Sequence, residues 1–182
     1  MTGDEVLTAV ENHLGQVLGE ESERAGVNFL GADRIEVLRF VRGDLTHYVT
    51  LGMSRTPMSG DSELLTEGPR AELVLTLRGA QDTVLRRLAT LAASPAIEGV
   101  VITPGTGLDV GEPLWDGARF TAVLVGEPTL PDVEQVRLLT VVPMTPNEAA
   151  WKRVHGAVAL EERWLIQGLD LRDPQRAEAD LA

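Results

Sequence analysis

The side chains best suited to acid–base chemistry in this chain are three histidines, His13, His47 and His155, and a surplus of carboxylates. The histidines fall in three separate stretches, and no two stand at the spacing that lets imidazoles on one helix share a metal. Neither an HExxH helix nor an EF-hand loop is present, and no G-x-S-x-G elbow offers a serine nucleophile. The chain has no cysteine, which removes thiolate catalysis, thiolate metal sites and disulfides together. Gly105-Thr106-Gly107 has the glycines of a phosphate loop but not the Gly-Lys-Ser/Thr and helix start that would hold a phosphate, so it reads as turn chemistry. With 28 acidic residues, carboxylates meet by chance, and their abundance singles out no glycosidase-like pair. The expectation is no catalytic residue, no metal and no cofactor.

The elements that must position these residues are specified most clearly between Val141 and Gly168. The apolar run Leu138 to Val142 reads as a central strand that stops at Pro143. Thr145-Pro146-Asn147-Glu148 then supplies a threonine N-cap, a proline at the first helical position and a glutamate placed to close a capping box. The helix carries Trp151 and, one turn later, His155, so the two rings can meet on one face. His155 reads as a packing partner of Trp151, with a pH-sensitive surface contact as the alternative. Gly156 breaks the helix, and a second helical segment carries Trp164. Trp151 and Trp164 are expected to anchor the core, each burying up to about 250 Å².

Upstream, Val6, Leu7, Val10, Leu14, Val17 and Leu18 form one helical stripe, opened by a Thr2–Glu5 capping box and flanked by His13. Residues 19–33 read as a polar connection that tucks Phe29 and Leu30 onto the core. Arg34–Arg42 and Leu45–Met53 read as a hairpin around Gly43-Asp44, with His47 on the face of Leu45, Val49, Leu51 and Met53, and Tyr48 on the other. Residues 54–70 form a long loop whose Met58, Leu64 and Leu65 either cover the core edge or meet a partner. Ala71–Arg78 alternates, with Leu73, Leu75 and Leu77 inward and Glu72 toward solvent.

A helix over 82–93 stops at Ser94-Pro95, Val100–Ile102 is a short strand, and 103–119 is a second long loop. Trp115 in that loop has two readings that stand level, a binding hot spot or a loop anchor. Phe120–Val125 and Val136–Val142 complete the strands. The pattern predicts an α+β (mixed α/β) domain over residues 1–170, a single sheet of mostly antiparallel strands packed with helices. Residues 171–182 form a charged tail expected to be loosely docked or frayed.

Bulk properties narrow the classes of partner. Hydrophobic residues make up 43% of the chain and charged ones 24%, ordinary for a globular domain. No apolar run approaches the roughly 20 residues that cross a bilayer, and the N-terminus is acidic where a signal peptide is basic. A cytoplasmic location is the expectation. A formal net charge of −12 repels nucleic acid and anionic membranes and suits a basic protein partner, although acidity retained for solubility is the plain alternative.

Three segments carry a family resemblance, in order along most of the chain. Pro143-Met144-Thr145-Pro146-Asn147-Glu148-Ala149-Ala150-Trp151-Lys152-Arg153-Val154-His155-Gly156-Ala157, with Leu160-Glu161-Glu162-Arg163-Trp164, resembles the C-terminal signature of suppressor-of-fused-like domains. Tyr48–Ser54 and the stretch from Glu98-Gly99-Val100 to Leu114-Trp115 resemble other parts of that domain. Thr145, Pro146, Glu148, Trp151, His155, Gly156 and Trp164 form the structural signature. The resemblance implies an α+β fold and a protein-binding domain that is not an enzyme. Animal domains of this kind grip an extended peptide, and bacterial relatives look like immunity proteins; the second lobe of the animal protein has no counterpart here. The chain is therefore expected to bind a protein, a basic toxin domain neutralised in a bacterial polymorphic toxin system. The two long loops would form the contact surface, with Tyr48, Met53, Met58 and Trp115 as anchors. The alternatives are a regulatory or scaffolding domain, and a small hydrolase using a carboxylate with His47 or His155. The sequence leaves the oligomeric state open.

Overall fold

Capping chemistry starts the two helices whose N-termini the sequence marks most strongly. In the computed structural model, which describes residues 2–58 and 68–182, the Thr2 and Thr145 hydroxyls accept from the Glu5 and Glu148 N–H groups, and both glutamates reach back to their threonine's N–H. These boxes open α1 (Gly3–Leu18) and α3 (Pro146–His155). Gly156, at a φ of 92°, separates α3 from α4 (Ala157–Ile166). The fourth helix is α2 (Val84–Glu98). Seven strands, β1 (Glu23–Phe29), β2 (Ala32–Arg42), β3 (Leu45–Leu51), β4 (Arg70–Arg78), β5 (Gly107–Asp109), β6 (Ala122–Gly126) and β7 (Val136–Met144), form one sheet in the order β1-β2-β3-β4-β7-β6-β5.

All neighbouring strands are antiparallel except β4 and β7, which run parallel from Arg70↔Val136 to Val74↔Thr140. The fold is the α+β sheet-and-helix arrangement expected. Alternation along the strands divides the core. Val37, Tyr48, Leu73, Leu75, Val125 and Val141 pack under α2, whose Val84, Leu88 and Ala92 point at them. On the opposite face Leu38, Phe40, Val49 and Val74 meet Val6, Val10, Leu14 and Leu18 of α1. Farther along that same face, Leu124 and Met144 meet Leu160 and Trp164 of the α3–α4 pair.

Several local expectations are corrected. Residues 19–33 contain the edge strand β1, whose mostly exposed pattern and Gly26 hide its extended character; Phe29 packs inward, but Leu30, at the β1–β2 turn, is fully exposed. Helix α2 runs through Pro95: the proline leaves the Leu91 carbonyl without its helical donor, and the Ser94 hydroxyl bonds that carbonyl at 2.7 Å instead. Val100–Ile102 forms no strand; Ile102 is buried and its N–H meets the Met58 sulfur, while β5 lies inside the supposed second loop. Strand β7 continues past Pro143 to Met144. The Met144 carbonyl accepts from Thr121 on the β6 side, so Pro143 faces away, toward the side where β4 pairing has already ended at Thr140 and no donor is missed. The tail is not frayed, because Arg176 and Ala179 are buried. Leu64 and Leu65 lie outside the described residues.

Candidate protein-interaction surface

The acid–base side chains are dispersed by the fold. His13, on α1, bonds the Pro131 carbonyl at 3.0 Å, and half-buried His47 bonds the Thr76 hydroxyl at 2.8 Å. Burial, together with Arg42 and Arg172 nearby, holds the His47 pKa below its usual value. His155 is exposed and stacks on Trp151, with ring centroids 4.1 Å apart and planes at 29°. These three imidazoles occupy different parts of the molecule. Among the described residues no group of three or more His, Cys, Asp or Glu side chains could hold a metal.

Among the described residues two carboxylates, Glu72 and Glu148, are fully buried, and both are occupied by the fold. Glu72 faces away from α2, as alternation requires, but the chain turns over it. The 3-10 turn Met53–Arg55 lays the N–H groups of Gly52, Met53 and Ser54 on its oxygens at 3.0, 3.2 and 2.8 Å. The Thr50 and Ser54 hydroxyls add bonds of 2.8 and 2.5 Å. Glu72 is thus the centre of a loop clasp and not a solvent-facing residue. Burial nevertheless pushes its pKa up against these hydrogen bonds. Glu148 closes its capping box and also accepts from Trp164 Nε1 at 2.8 Å and from Arg176 at 2.8 and 3.0 Å. Burial alone would raise its pKa; the Arg176 hydrogen bond, the Thr145 N–H and the Trp164 N–H outweigh it and hold the pKa low. Neither carboxylate reaches solvent.

The four expected anchors are inside. Tyr48 is wholly buried, donating to Asp82 at 2.8 Å and accepting from the Gln81 N–H at 2.7 Å. Met53 and Met58 sit in the α2-side core, and Trp115 packs against Phe120 with centroids 5.7 Å apart. All four are packed in the interior and offer no side chain to a partner in this conformation. Within the signature, Trp164 is buried and Trp151 half-buried. Thr145, Pro146 and Glu148 form the α3 start and Gly156 its end.

A cluster of apolar side chains reaches solvent on the last two helices, beside scattered ones such as Leu30, Val41 and Ile97. Val154, Val158, Leu165 and Ile166 on α3 and α4 are 78%, 69%, 81% and 83% exposed. Buried Leu160 and Trp164 take one side of α4, whereas Val158, Glu161, Glu162 and Leu165 share another. That outer side forms one wall of a groove of about 470 Å³, floored by Leu124, Val142, Leu169 and Leu171. A signal for it was present: ten residues of α4 hold more apolar side chains than one helix face can bury. By contrast, the groove between α1 and the β1–β2 hairpin is polar and internally neutralised, with Arg24 paired to Glu11, Glu21 and Glu36. No described helix is long and apolar enough to cross a membrane.

The family model for suppressor of fused protein matches residues 31–177. Among curated protein sequences no relative matches. Solved structures do. A suppressor of fused homologue from Neisseria gonorrhoeae superposes with a TM-score of 0.77 at 17% identity, covering 98% of this chain and 99% of that one. A chain of the Sufu–Fu complex gives 0.67 at 17% identity, over 96% of this chain and 91% of that chain. Drosophila Suppressor of Fused gives 0.67 at 16% identity, and there the match covers 96% of this chain but 51% of that protein.

Proposed function

The chain belongs to the suppressor of fused family, and from that premise we propose that it is a non-catalytic protein-binding domain. In this reading it acts in the cytoplasm of a bacterium as an immunity protein that binds and neutralises a basic toxin domain. The family match carries the reading. One structure of the same fold is that of a Sufu–Fu complex, which supports a protein-binding role. The fold also spans nearly the whole of a bacterial relative. The net charge of −12 would draw in a basic partner and speed its encounter. Dispersed histidines and two fully hydrogen-bonded buried carboxylates agree with binding in place of turnover.

The test starts from the genes that flank this chain in its native genome: any toxin domain encoded there is co-expressed with it. Restored growth and a stable complex of the two purified proteins are expected. Toxicity undiminished with no complex would overturn the immunity reading. A complex with a host regulator and no protection would leave the general interaction role and replace its purpose. Hydrolase turnover abolished by His47→Gln or His155→Gln would overturn the binding reading itself.

A further inference from the structure

On the flank of the α3–α4 pair, burial of Leu160 and Trp164 leaves Val158, Leu165 and Ile166 outside. Lone exposed aliphatics are ordinary; several on adjoining helical turns beside an apolar groove are not. The groove has the volume of a small-ligand site, but it is open along α4 and has few polar groups with which to orient a small molecule. Glu161 and Glu162 stand on its helical wall, and among the described residues neither is paired with a cation of this chain. Their charge adds to an overall −12, so a second copy would bring like charge to the same wall. An occupant must supply apolar side chains for the floor and positive charge for the rim.

We propose that the groove between α4 and the β6–β7 face seats an amphipathic helix of a protein partner, with aliphatic or aromatic residues on one side and lysine or arginine beside them. Shape and chemistry match the helix-in-groove mode: aliphatic side chains at helical spacing enter the floor near Leu124, Val142 and Leu169, and flanking cations meet Glu161 and Glu162. This inference rests on the protein-binding reading and names the surface that serves it.

The probe is a synthetic helical peptide with leucines at three- and four-residue spacing flanked by lysines, and a control with glutamate replacing each lysine. Fluorescence anisotropy with the full chain should show the lysine peptide binding at least about tenfold more tightly than the control. Leu165→Ser should weaken it by roughly tenfold while the melting temperature stays unchanged, because Leu165 is 81% exposed. Paired E161K and E162K substitutions should reverse the preference to the glutamate peptide. The inference is overturned by absent binding, by equal affinity for both peptides, or by indifference to these substitutions. It is also overturned if sedimentation finds a dimer that Leu165→Ser dissociates, since the occupant is then a second copy. A native toxin complex that survives all three substitutions removes this surface from the interaction but leaves the protein-binding reading standing.

Discussion

Replacing Arg176 with methionine should destabilise this domain by about 3–5 kcal/mol, the usual cost of stripping one partner from a buried ion pair. Arg176 is 4% exposed and Glu148 is fully buried, so solvent screens little of the interaction. The guanidinium makes two bonds to Glu148, at 2.8 and 3.0 Å, and bonds the Pro143 and Ala177 carbonyls at 2.8 and 2.9 Å. It also lies 4.7 Å from the Phe120 ring centroid and 5.3 Å from that of Trp164. Methionine keeps much of the packing and removes the charge. What remains around Glu148 is a carboxylate held by the Thr145, Ala179 and Trp164 N–H groups with no cation. For a chain of this length the loss corresponds to a melting temperature lower by roughly 6–20 °C.

Urea denaturation followed by tryptophan fluorescence measures it, and pH supplies an independent check. In the native protein the Glu148 pKa is depressed below its ordinary 4.5. Its stabilising contribution is therefore fully present above that value and lost as pH falls through the depressed one. Without Arg176, burial dominates and the folded-state pKa rises above the unfolded one. The variant's deficit should then be greatest near neutrality and narrow toward pH 4. Removing residues 171–182 should cost at least as much as the substitution, because the same cation leaves together with the Ala179 N–H. The double change Glu148→Gln with Arg176→Met should cost less than the sum of the single changes. A deficit under about 1 kcal/mol for Arg176→Met, or one independent of pH, would refute the assignment of the tail as a charged plug.

Trp115→Ala should cost about 3–5 kcal/mol of folding stability, read by thermal melting, since Trp115 is a buried loop anchor. Glu72→Gln should cost about 1–3 kcal/mol at neutral pH by presenting an amide NH₂ to N–H groups that need an acceptor. The native Glu72 has a raised pKa, so its contribution is greatest below about 4.5 and declines as pH rises through the folded value. A urea titration series should show this slope vanish in the glutamine variant. Ser94→Ala should cost about 1 kcal/mol by leaving the Leu91 carbonyl without its substitute donor, and no loss on chemical denaturation would show that water takes that place.

Periodicity and caps exposed most of the architecture because they are local. The α1 stripe, the β2–β3 hairpin and the Thr145–Glu148 box each declare themselves within a few residues. What stayed hidden depends on distant chain. Glu72 alternates as a solvent residue should, and only the turn over Thr50–Ser54 makes its site interior. Tyr48 and Trp115 look like hot-spot residues by type, but type does not say whether an aromatic faces out or in. The charged tail reads from its composition as loosely docked or frayed, and its docking centres on one carboxylate on α3. The interaction groove was half visible: the excess apolar content of α4 could be counted, while its floor on β6 and β7 could not.

The parallel pairing of β4 with β7 has a consequence for how the chain assembles. On either side of this seam strands join their near neighbours: β1 to β4 by successive antiparallel steps, and β5 to β7 in a second antiparallel set. Each half can form its ladder by joining strands that follow one another in the chain, whereas Arg70 must find Val136 across α2 and two strands. Loop-closure entropy makes that contact the slow one. Until it forms, the inner edges of both halves stand open, and a nascent chain passes through a stage in which two small sheets seek each other with their most apolar strands uncovered.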